Sequence, residues 1–150
     1  MSAVKTILIT GANGQLGSEI KFLASSYPQF NFIFTDYQEL SIIDKKAVDD
    51  FFSANEIYAC INCAAYTAVD KAETEAVQAF LINAEAPGQL ATVCRQYNTA
   101  FIHISTDYVF DGNTNIPYDE NAATSPIGVY GKSKLLGEKL AIKENPETII

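Results

Sequence analysis

Short apolar runs alternate with longer amphipathic segments along this chain, which is the pattern of a parallel sheet covered by helices. The predicted strands span residues 4–10, 31–35, 58–63 and 100–105, and a further strand begins at 148–150. The predicted helices span residues 15–26, 44–54, 71–97 and 127–144; the third is broken near Glu75 and disturbed at Pro87 and Gly88. We therefore expect an α/β fold of the Rossmann-like, doubly wound class, with residues 1–150 forming one domain.

The segment 106–126 interrupts this alternation. It is rich in Asp, Asn, Gly and Pro and has no clear periodicity. Loops of this length are uncommon in compact domains and are often functional. Because the last predicted strand has only begun at residue 150, we interpret the chain as the first part of a longer protein.

The composition fits a compact domain that binds neither nucleic acid nor a membrane. Of 150 residues 48% are hydrophobic, which is enough for a sizeable core. The formal net charge of −8 argues against the basic surface that nucleic acid or anionic lipid requires. Residues 1–5 lead into an apolar run too short to span a membrane, and they lack the basic flank and cleavage site of a signal peptide. We expect a cytoplasmic protein.

The cysteines do not indicate a disulfide or a metal site. Cys60 and Cys63 have C-x-x-C spacing, but both lie in a predicted strand, where residues three apart point to opposite faces. Neither a second pair nor a nearby histidine completes a zinc site. We interpret Cys60, Cys63 and Cys94 as core residues.

Three glycines form a G-x-x-G-x-x-G turn between the first predicted strand and the first predicted helix. In this context the spacing is typical of a dinucleotide-binding turn, whose helix N-terminus faces a pyrophosphate. Gly11 can adopt backbone angles closed to other residues, and Gly14 has no side chain to block the phosphates. Gly17 allows the helix to approach the strand. The alternative is a tight turn in which the glycines are spaced by chance.

Asp36 ends the second predicted strand, where a carboxylate can accept hydrogen bonds from the adenosine ribose and repel a 2′-phosphate. No arginine follows that strand closely, although Lys45 and Lys46 come soon after. Asp36 therefore favours NADH over NADPH. The alternative is a turn residue that begins a loop.

Tyr130 and Lys134 have the spacing that places two side chains on one face of a helix. A free phenol has a pKa of about 10, and a neighbouring ammonium stabilises the phenolate. Ser105 and Thr106 end the fourth predicted strand, where doubly wound sheets bind ligands and where a hydroxyl can orient a substrate carbonyl. Together these groups fit carbonyl reduction, although spacing alone also fits an ordinary amphipathic helix. His103, the only histidine, is interpreted as structural.

The sequence resembles the extended short-chain dehydrogenase/reductase family, and within it the reductases of dTDP-linked 4-keto-6-deoxysugars. The resemblance runs through the segments ILITGANGQLGSEI, INCAAYTAVDKAE, INAEAPGQLA, HISTDYVFDG, PYDE and YGKSKLLGE. It implies that Thr106, Tyr130 and Lys134 are catalytic. The residues that it implies for cofactor binding are Gly11, Asn13, Gly14, Gln15, Leu16, Gly17, Asp36, Ala64, Ala65, Tyr66, Tyr130 and Lys134. Those that it implies for substrate binding are Thr67, Val69, Thr106 and Tyr108.

The resemblance also implies a reaction, in which dTDP-4-dehydro-L-rhamnose is reduced at C4 to dTDP-L-rhamnose with NADPH or NADH. No metal site is expected within residues 1–150; an Mg²⁺ contact and a homodimer would both depend on a C-terminal part. One departure is that Ser41 stands where the family often has an aspartate on the adenine side. Family members are also nearly twice as long. We therefore expect residues 1–150 to bind the cofactor but not to turn over substrate efficiently.

Two other functions remain open at this point. Epimerases, dehydratases and other 4-keto reductases of the family share the glycine turn and the Tyr/Lys pair. Dehydratases usually have Asp-Glu after the active-site threonine, whereas here Asp107 and Tyr108 follow Thr106. The regulatory subunit of methionine adenosyltransferase also resembles these reductases, and it acts by binding a partner protein.

Overall fold

Four parallel strands form a single twisted sheet, with bounds β1 Lys5–Thr10, β2 Phe30–Thr35, β3 Ala59–Asn62 and β4 Ala100–His103. The structure is a computed structural model and describes residues 4–150. The prediction that residues 1–5 contain no signal peptide concerns a segment whose start lies outside the described residues. The strand order is β2-β1-β3-β4, so the chain reverses its direction of travel across the sheet between β1 and β3. In doubly wound sheets, ligand crevices lie outside the carboxyl ends of the strands at such a reversal. The predicted doubly wound fold is confirmed.

The helices follow the strands as the periodicity predicts. Their bounds are α1 Gln15–Leu23, α2 Lys45–Ala54, α3 Val69–Ala72, α4 Ala76–Phe80, α5 Ala86–Gln96 and α6 Val129–Glu144. The predicted cap of α2 is confirmed, because the Asp44 carboxylate accepts a hydrogen bond from the Ala47 N–H at 3.0 Å. Within residues 4–150 no helix is long and apolar enough to cross a bilayer.

The predicted strand at 148–150 is present only as a short parallel pairing at the outer edge of β4. Ile149 lies opposite Ile102, and its backbone exchanges hydrogen bonds with Phe101 and His103. The sheet therefore continues beyond β4 through the further strand that the sequence predicted.

The long helical stretch predicted at 71–97 is interrupted twice, as the sequence indicated, but the second interruption lies earlier than expected. It breaks between α3 and α4, near Glu75 as expected, but the second irregularity is a π-helical turn at Leu81–Glu85, before Pro87 rather than at it. Proline has no N–H, and its ring crowds the carbonyl four residues earlier, here that of Asn83. The wider turn accommodates this crowding, and α5 then begins normally with Pro87 in its first turn.

The Asn83 carbonyl lies against Gly137 of α6. A Cβ atom at Gly137 would be only 2.0 Å from the Asn83 oxygen, so only glycine fits at this crossing. Helix α6 can therefore approach the π-helical turn until their backbones nearly touch. This contact sets the position of the helix that bears Tyr130 and Lys134.

The main core lies on the face of the sheet that α2, α5 and α6 cover. Cys60 of β3 and Cys94 of α5 are both buried there, and the neighbouring Cys94 thiol together with burial raises the pKa of Cys60. Cys63 does not belong to this core. It lies just past the end of β3, half-buried on the crevice side, because residues three apart on a strand face opposite ways.

Replacing Gly137 with alanine is expected to lower the free energy of unfolding by about 3 kcal/mol or more, because overpacking against a backbone oxygen cannot be relieved by a rotamer change. In an unstrained helix the same substitution stabilises by about 1 kcal/mol. Urea unfolding of Gly137→Ala beside Lys139→Ala, an exposed position of the same helix, measures the difference. A loss below about 1 kcal/mol would contradict the close contact.

Candidate active site

A cavity of about 640 Å³ opens at the carboxyl ends of β1, β3 and β4. At one end the glycine turn and Asp36 line it, and at the other end Tyr130 and Lys134 of α6 do so. Between them the floor is formed by the residues that follow β3, at 63–65. The cavity therefore brings together two groups of residues that the sequence predicted separately.

The glycine turn is shaped by close backbone contacts. Gly11 has φ of +64°, and a Cβ atom there would lie 2.5 Å from the Ala64 nitrogen, so glycine is required for conformation and for space. Gly14 is the N-cap of α1, whose first N–H groups open toward the cavity. Gly17 is buried beneath the turn and does not line the cavity; a Cβ atom there would be 2.4 Å from the Gly11 oxygen.

Asn13, Gln15 and Leu16 line the cavity beside Gly14, as the resemblance implied. Ser41 also lines it, at the end where the adenine side was expected. It stands there in place of the family's usual aspartate.

Asp36 fastens the glycine turn to the end of β2. One carboxylate oxygen accepts a hydrogen bond from the Asn13 N–H at 2.9 Å, and the other accepts one from the Tyr37 N–H at 2.8 Å. Its own N–H donates to the Glu39 carboxylate at 2.9 Å. Asp36 also lines the cavity, and the sequence did not reveal its role as an anchor of the turn.

A buried polar chain joins three strands beneath the cavity floor. The Thr10 hydroxyl donates to the Asn62 amide oxygen at 2.6 Å, which also accepts from the Ala64 N–H at 3.2 Å. The Asn62 amide nitrogen therefore faces His103, and it donates to Nδ1 at 3.0 Å. This arrangement positions the floor directly after β3.

His103 is held as a neutral ring. It is 1% exposed, and burial together with the nearby Lys134 ammonium lowers its pKa to about 3. Because Nδ1 accepts from Asn62, the proton resides on Nε2, which has no partner within residues 4–150. The structural interpretation of His103 agrees with this burial.

Lys134 is the charged group at the α6 end of the cavity. Its side chain is 2% exposed, and Nζ donates to the Ile104 carbonyl at 2.6 Å. Burial lowers the pKa of Lys134 to about 8, and the Glu138 carboxylate partly opposes that shift. Tyr130, one turn earlier, lines the same cavity and is almost fully buried.

The two hydroxyls after β4 have different environments. Ser105 lines the cavity, but its hydroxyl donates to the Glu138 carboxylate and is therefore occupied. Thr106 lies outside the lining; its hydroxyl accepts from the Tyr108 N–H at 3.3 Å and donates to Asp107 at 3.2 Å. The structure thus brings Tyr130 and Lys134 into the cavity together, but not Thr106.

The Tyr108 ring approaches Tyr130 edge-on, with 5.4 Å between ring centroids, and is about half exposed. Of the other residues expected near a sugar, Thr67 lines the cavity and Val69 packs against Tyr130. Tyr66 does not line the cavity; its hydroxyl donates to Glu75 at 2.5 Å.

The segment 66–73 is tied to α6 at both ends, which the sequence reasoning missed. The Asn83 amide accepts from the Tyr66 N–H at 2.7 Å, donates to the Tyr66 carbonyl at 3.0 Å and donates to the Ser133 hydroxyl at 3.1 Å. At the other end the Glu73 carboxylate accepts from the Val129 N–H at 2.7 Å, in the first turn of α6. The one signal that the sequence offered for Asn83 was an asparagine among apolar residues in a predicted helical stretch.

Comparison with known proteins shows which family this sequence matches. Residues 5–150 match the family model described as the RmlD substrate binding domain. A dTDP-4-dehydrorhamnose reductase of Aggregatibacter actinomycetemcomitans is 40% identical over 144 residues, which are 96% of this chain and 49% of that protein. The chain therefore spans about half the length of the curated relatives it matches.

Two solved structures share the fold over the same region. A dTDP-4-dehydrorhamnose reductase from Clostridium acetobutylicum superposes with a TM-score of 0.90 and 44% identity, covering 95% of this chain and 51% of that one. One from Bacillus anthracis, solved in complex with NADP, superposes with a TM-score of 0.94 and 32% identity, covering 99% and 52%.

The imidazole of His103 should stay neutral in the folded protein down to about pH 4, with its proton on Nε2. The unfolded ring takes a proton near pH 6.5, whereas the folded ring does so only near pH 3. His103 therefore costs stability as the pH falls from 6.5 toward 3, and nothing above that window. Nitrogen-15 NMR of the ring measures both points; a folded ring that titrates near pH 6.5 would refute the buried arrangement.

Proposed function

Because the chain belongs to the RmlD substrate binding domain family, we propose that it binds a nicotinamide dinucleotide and serves the reduction of dTDP-4-dehydro-L-rhamnose to dTDP-L-rhamnose. The observation that supports this proposal is the single cavity that joins the glycine turn to Tyr130 and Lys134. A nucleotide held at one end would extend to the proton donor at the other. This is the arrangement that carbonyl reduction needs.

The residues present fit such a cofactor. The free N–H groups at the start of α1 would hold the pyrophosphate, and the absence of a side chain at Gly14 leaves room for it. Asp36 would contact the adenosine ribose. The bound cofactor would supply the hydride for C4 of the sugar.

The chain's own residues would complete the reaction. Tyr130 gives the carbonyl oxygen its proton as the alcohol forms, so the alkoxide is neutralised as the charge develops. Lys134 stabilises the phenolate that remains and donates a hydrogen bond to the ribose nearest the reacting ring. Thr106, Thr67 and Tyr108 would contact the sugar nucleotide from the loops around the opening.

The phenol of Tyr130 is the group whose removal should separate chemistry from binding. We expect Tyr130→Phe to bind NADPH within about twofold of the parent but to reduce dTDP-4-dehydro-L-rhamnose at least about 100-fold more slowly, the usual contribution of a general acid. Single-turnover loss of reduced nicotinamide absorbance, with protein in excess, detects slow reactions of residues 1–150. Tyr27→Phe, outside the cavity, is the matched control.

An unchanged rate in Tyr130→Phe would remove the tyrosine from the reaction. Turnover of a different 4-keto sugar nucleotide in preference to the dTDP-rhamnose precursor would retain the reductase and change its substrate. Cofactor binding without any turnover, in a protein of the relatives' full length, would favour the non-catalytic regulator.

The Asp36 carboxylate should decide the preference between cofactors. We expect Asp36→Asn, which keeps an oxygen for the Asn13 N–H, to improve the affinity for NADPH relative to NADH by about tenfold, because one negative charge near the 2′-phosphate is lost. Asp36→Ala should weaken both cofactors, because the turn also loses its anchor. Fluorescence titration gives both dissociation constants, and an unchanged ratio in Asp36→Asn would rule out this discrimination.

A further inference from the structure

Two neighbouring hydrogen bonds join α6 to the residues that follow β4. In one of them α6 supplies the donor, and in the other it supplies the acceptor. Lys134 donates from its ammonium to the Ile104 carbonyl at 2.6 Å. The next residue of the loop, Ser105, donates its hydroxyl to the carboxylate of Glu138, one helical turn after Lys134. The cation and the anion therefore lie one helical turn apart on α6, and each is bonded to one of two consecutive loop residues.

Because Lys134 is buried, its charge depends on the groups around it, and the Glu138 carboxylate is one of them. An ammonium taken out of water is costly unless a charge or hydrogen bonds compensate it, and Lys134 is 2% exposed. Within residues 4–150, Glu138 is the one carboxylate that acts on its pKa, in the direction that favours the charged form.

The other titratable groups that face Lys134 cannot replace this carboxylate. His103, on β4, is a buried neutral ring and would only repel the ammonium if it were protonated. Tyr130, on the preceding turn of α6, is the partner that Lys134 serves in the proposed reaction. Glu138 itself is half-buried, so water screens it only in part.

We propose that Glu138 is a positioning residue, whose carboxylate is held by the Ser105 hydroxyl and keeps the buried Lys134 charged and aimed at the cavity. This inference rests on the proposed function, in which Lys134 assists Tyr130 and holds the cofactor ribose. It also assigns Ser105 a role. Because its hydroxyl is committed to Glu138, Ser105 orients the carboxylate rather than the substrate carbonyl.

The test measures the charge of Lys134 directly, without cofactor or substrate. In protein labelled with carbon-13 lysine, the Cε resonance of Lys134, assigned by its loss in Lys134→Met, is followed against pH. Glu138→Gln keeps an oxygen for Ser105 but removes the charge, so the titration midpoint of Lys134 should fall by about one pH unit. Glu144→Gln removes an equal charge from the last residue of α6, ten residues after Lys134, and should leave the midpoint unchanged.

An unchanged midpoint in Glu138→Gln, or an equal shift in Glu144→Gln, would overturn the proposal. Should Glu138→Gln not fold, Ser105→Ala provides the second variant. This substitution removes the hydrogen bond that holds the Glu138 carboxylate, so the titration midpoint of Lys134 should fall by a smaller amount. A folded Ser105→Ala with the parental midpoint would also overturn the proposal.

The NADPH dissociation constant, measured across the same pH range, separates this proposal from the function it rests on. Glu138→Gln should lose affinity severalfold between its own Lys134 midpoint and the parental one. A parent that binds NADPH while Glu138→Gln keeps the parental midpoint would refute the role of Glu138 alone. A parent that binds no NADPH, with a shifted midpoint, would refute the proposed function and leave the coupling of Glu138 to Lys134 intact.

Discussion

The arrangement of the site depends on one steric constraint, the lack of room for any side chain at Gly11. Its backbone passes so close to Ala64 that a Cβ atom would overlap the nitrogen of that residue, and its carbonyl leaves no room for a Cβ atom at Gly17. The exits of β1 and β3 and the start of α1 therefore converge within a few ångströms. The crevice of the doubly wound sheet lies at this point, because the reversal between β1 and β3 places both strand exits beside the same helix N-terminus.

Neutral amides make most of the long-range connections that keep this convergence in place. Asn62 joins β1, β3 and β4 beneath the floor, and Asn83 joins the Tyr66 backbone to Ser133 on α6. An amide carries both donors and an acceptor, so one side chain can satisfy several buried groups without the desolvation cost of a charge. Lys134 is the charged group that is buried at the site, and its ammonium donates a hydrogen bond to the Ile104 carbonyl oxygen.

The sequence predicted those parts of the structure that local periodicity and capping determine. The strands, α2 with its Asp44 cap and the helix of Tyr130 and Lys134 follow from patterns within about 20 residues. The disturbance expected at Pro87 and Gly88 lies earlier, at the π-helical turn, because proline crowds a carbonyl four residues before it. That carbonyl, of Asn83, packs against Gly137, which is distant in the sequence. The contacts of Ser105 with Glu138 and of Glu73 with Val129 likewise depend on how α6 packs. No spacing rule within one segment reveals such contacts.

Asp36 illustrates how the internal hydrogen bonds limit what a site residue can do for a ligand. Each of its oxygens already accepts one backbone N–H, so each retains one lone-pair direction for a ribose hydroxyl. Those bonds also fix the carboxylate and leave its negative charge in place, with Glu39 close behind it. A discrimination between cofactors at this position would therefore come from repulsion of a 2′-phosphate more than from hydrogen bonds to a ribose. Since the same carboxylate also holds Asn13 in the glycine turn, the proposed binding of a pyrophosphate there and selection at the ribose would be coupled through one side chain.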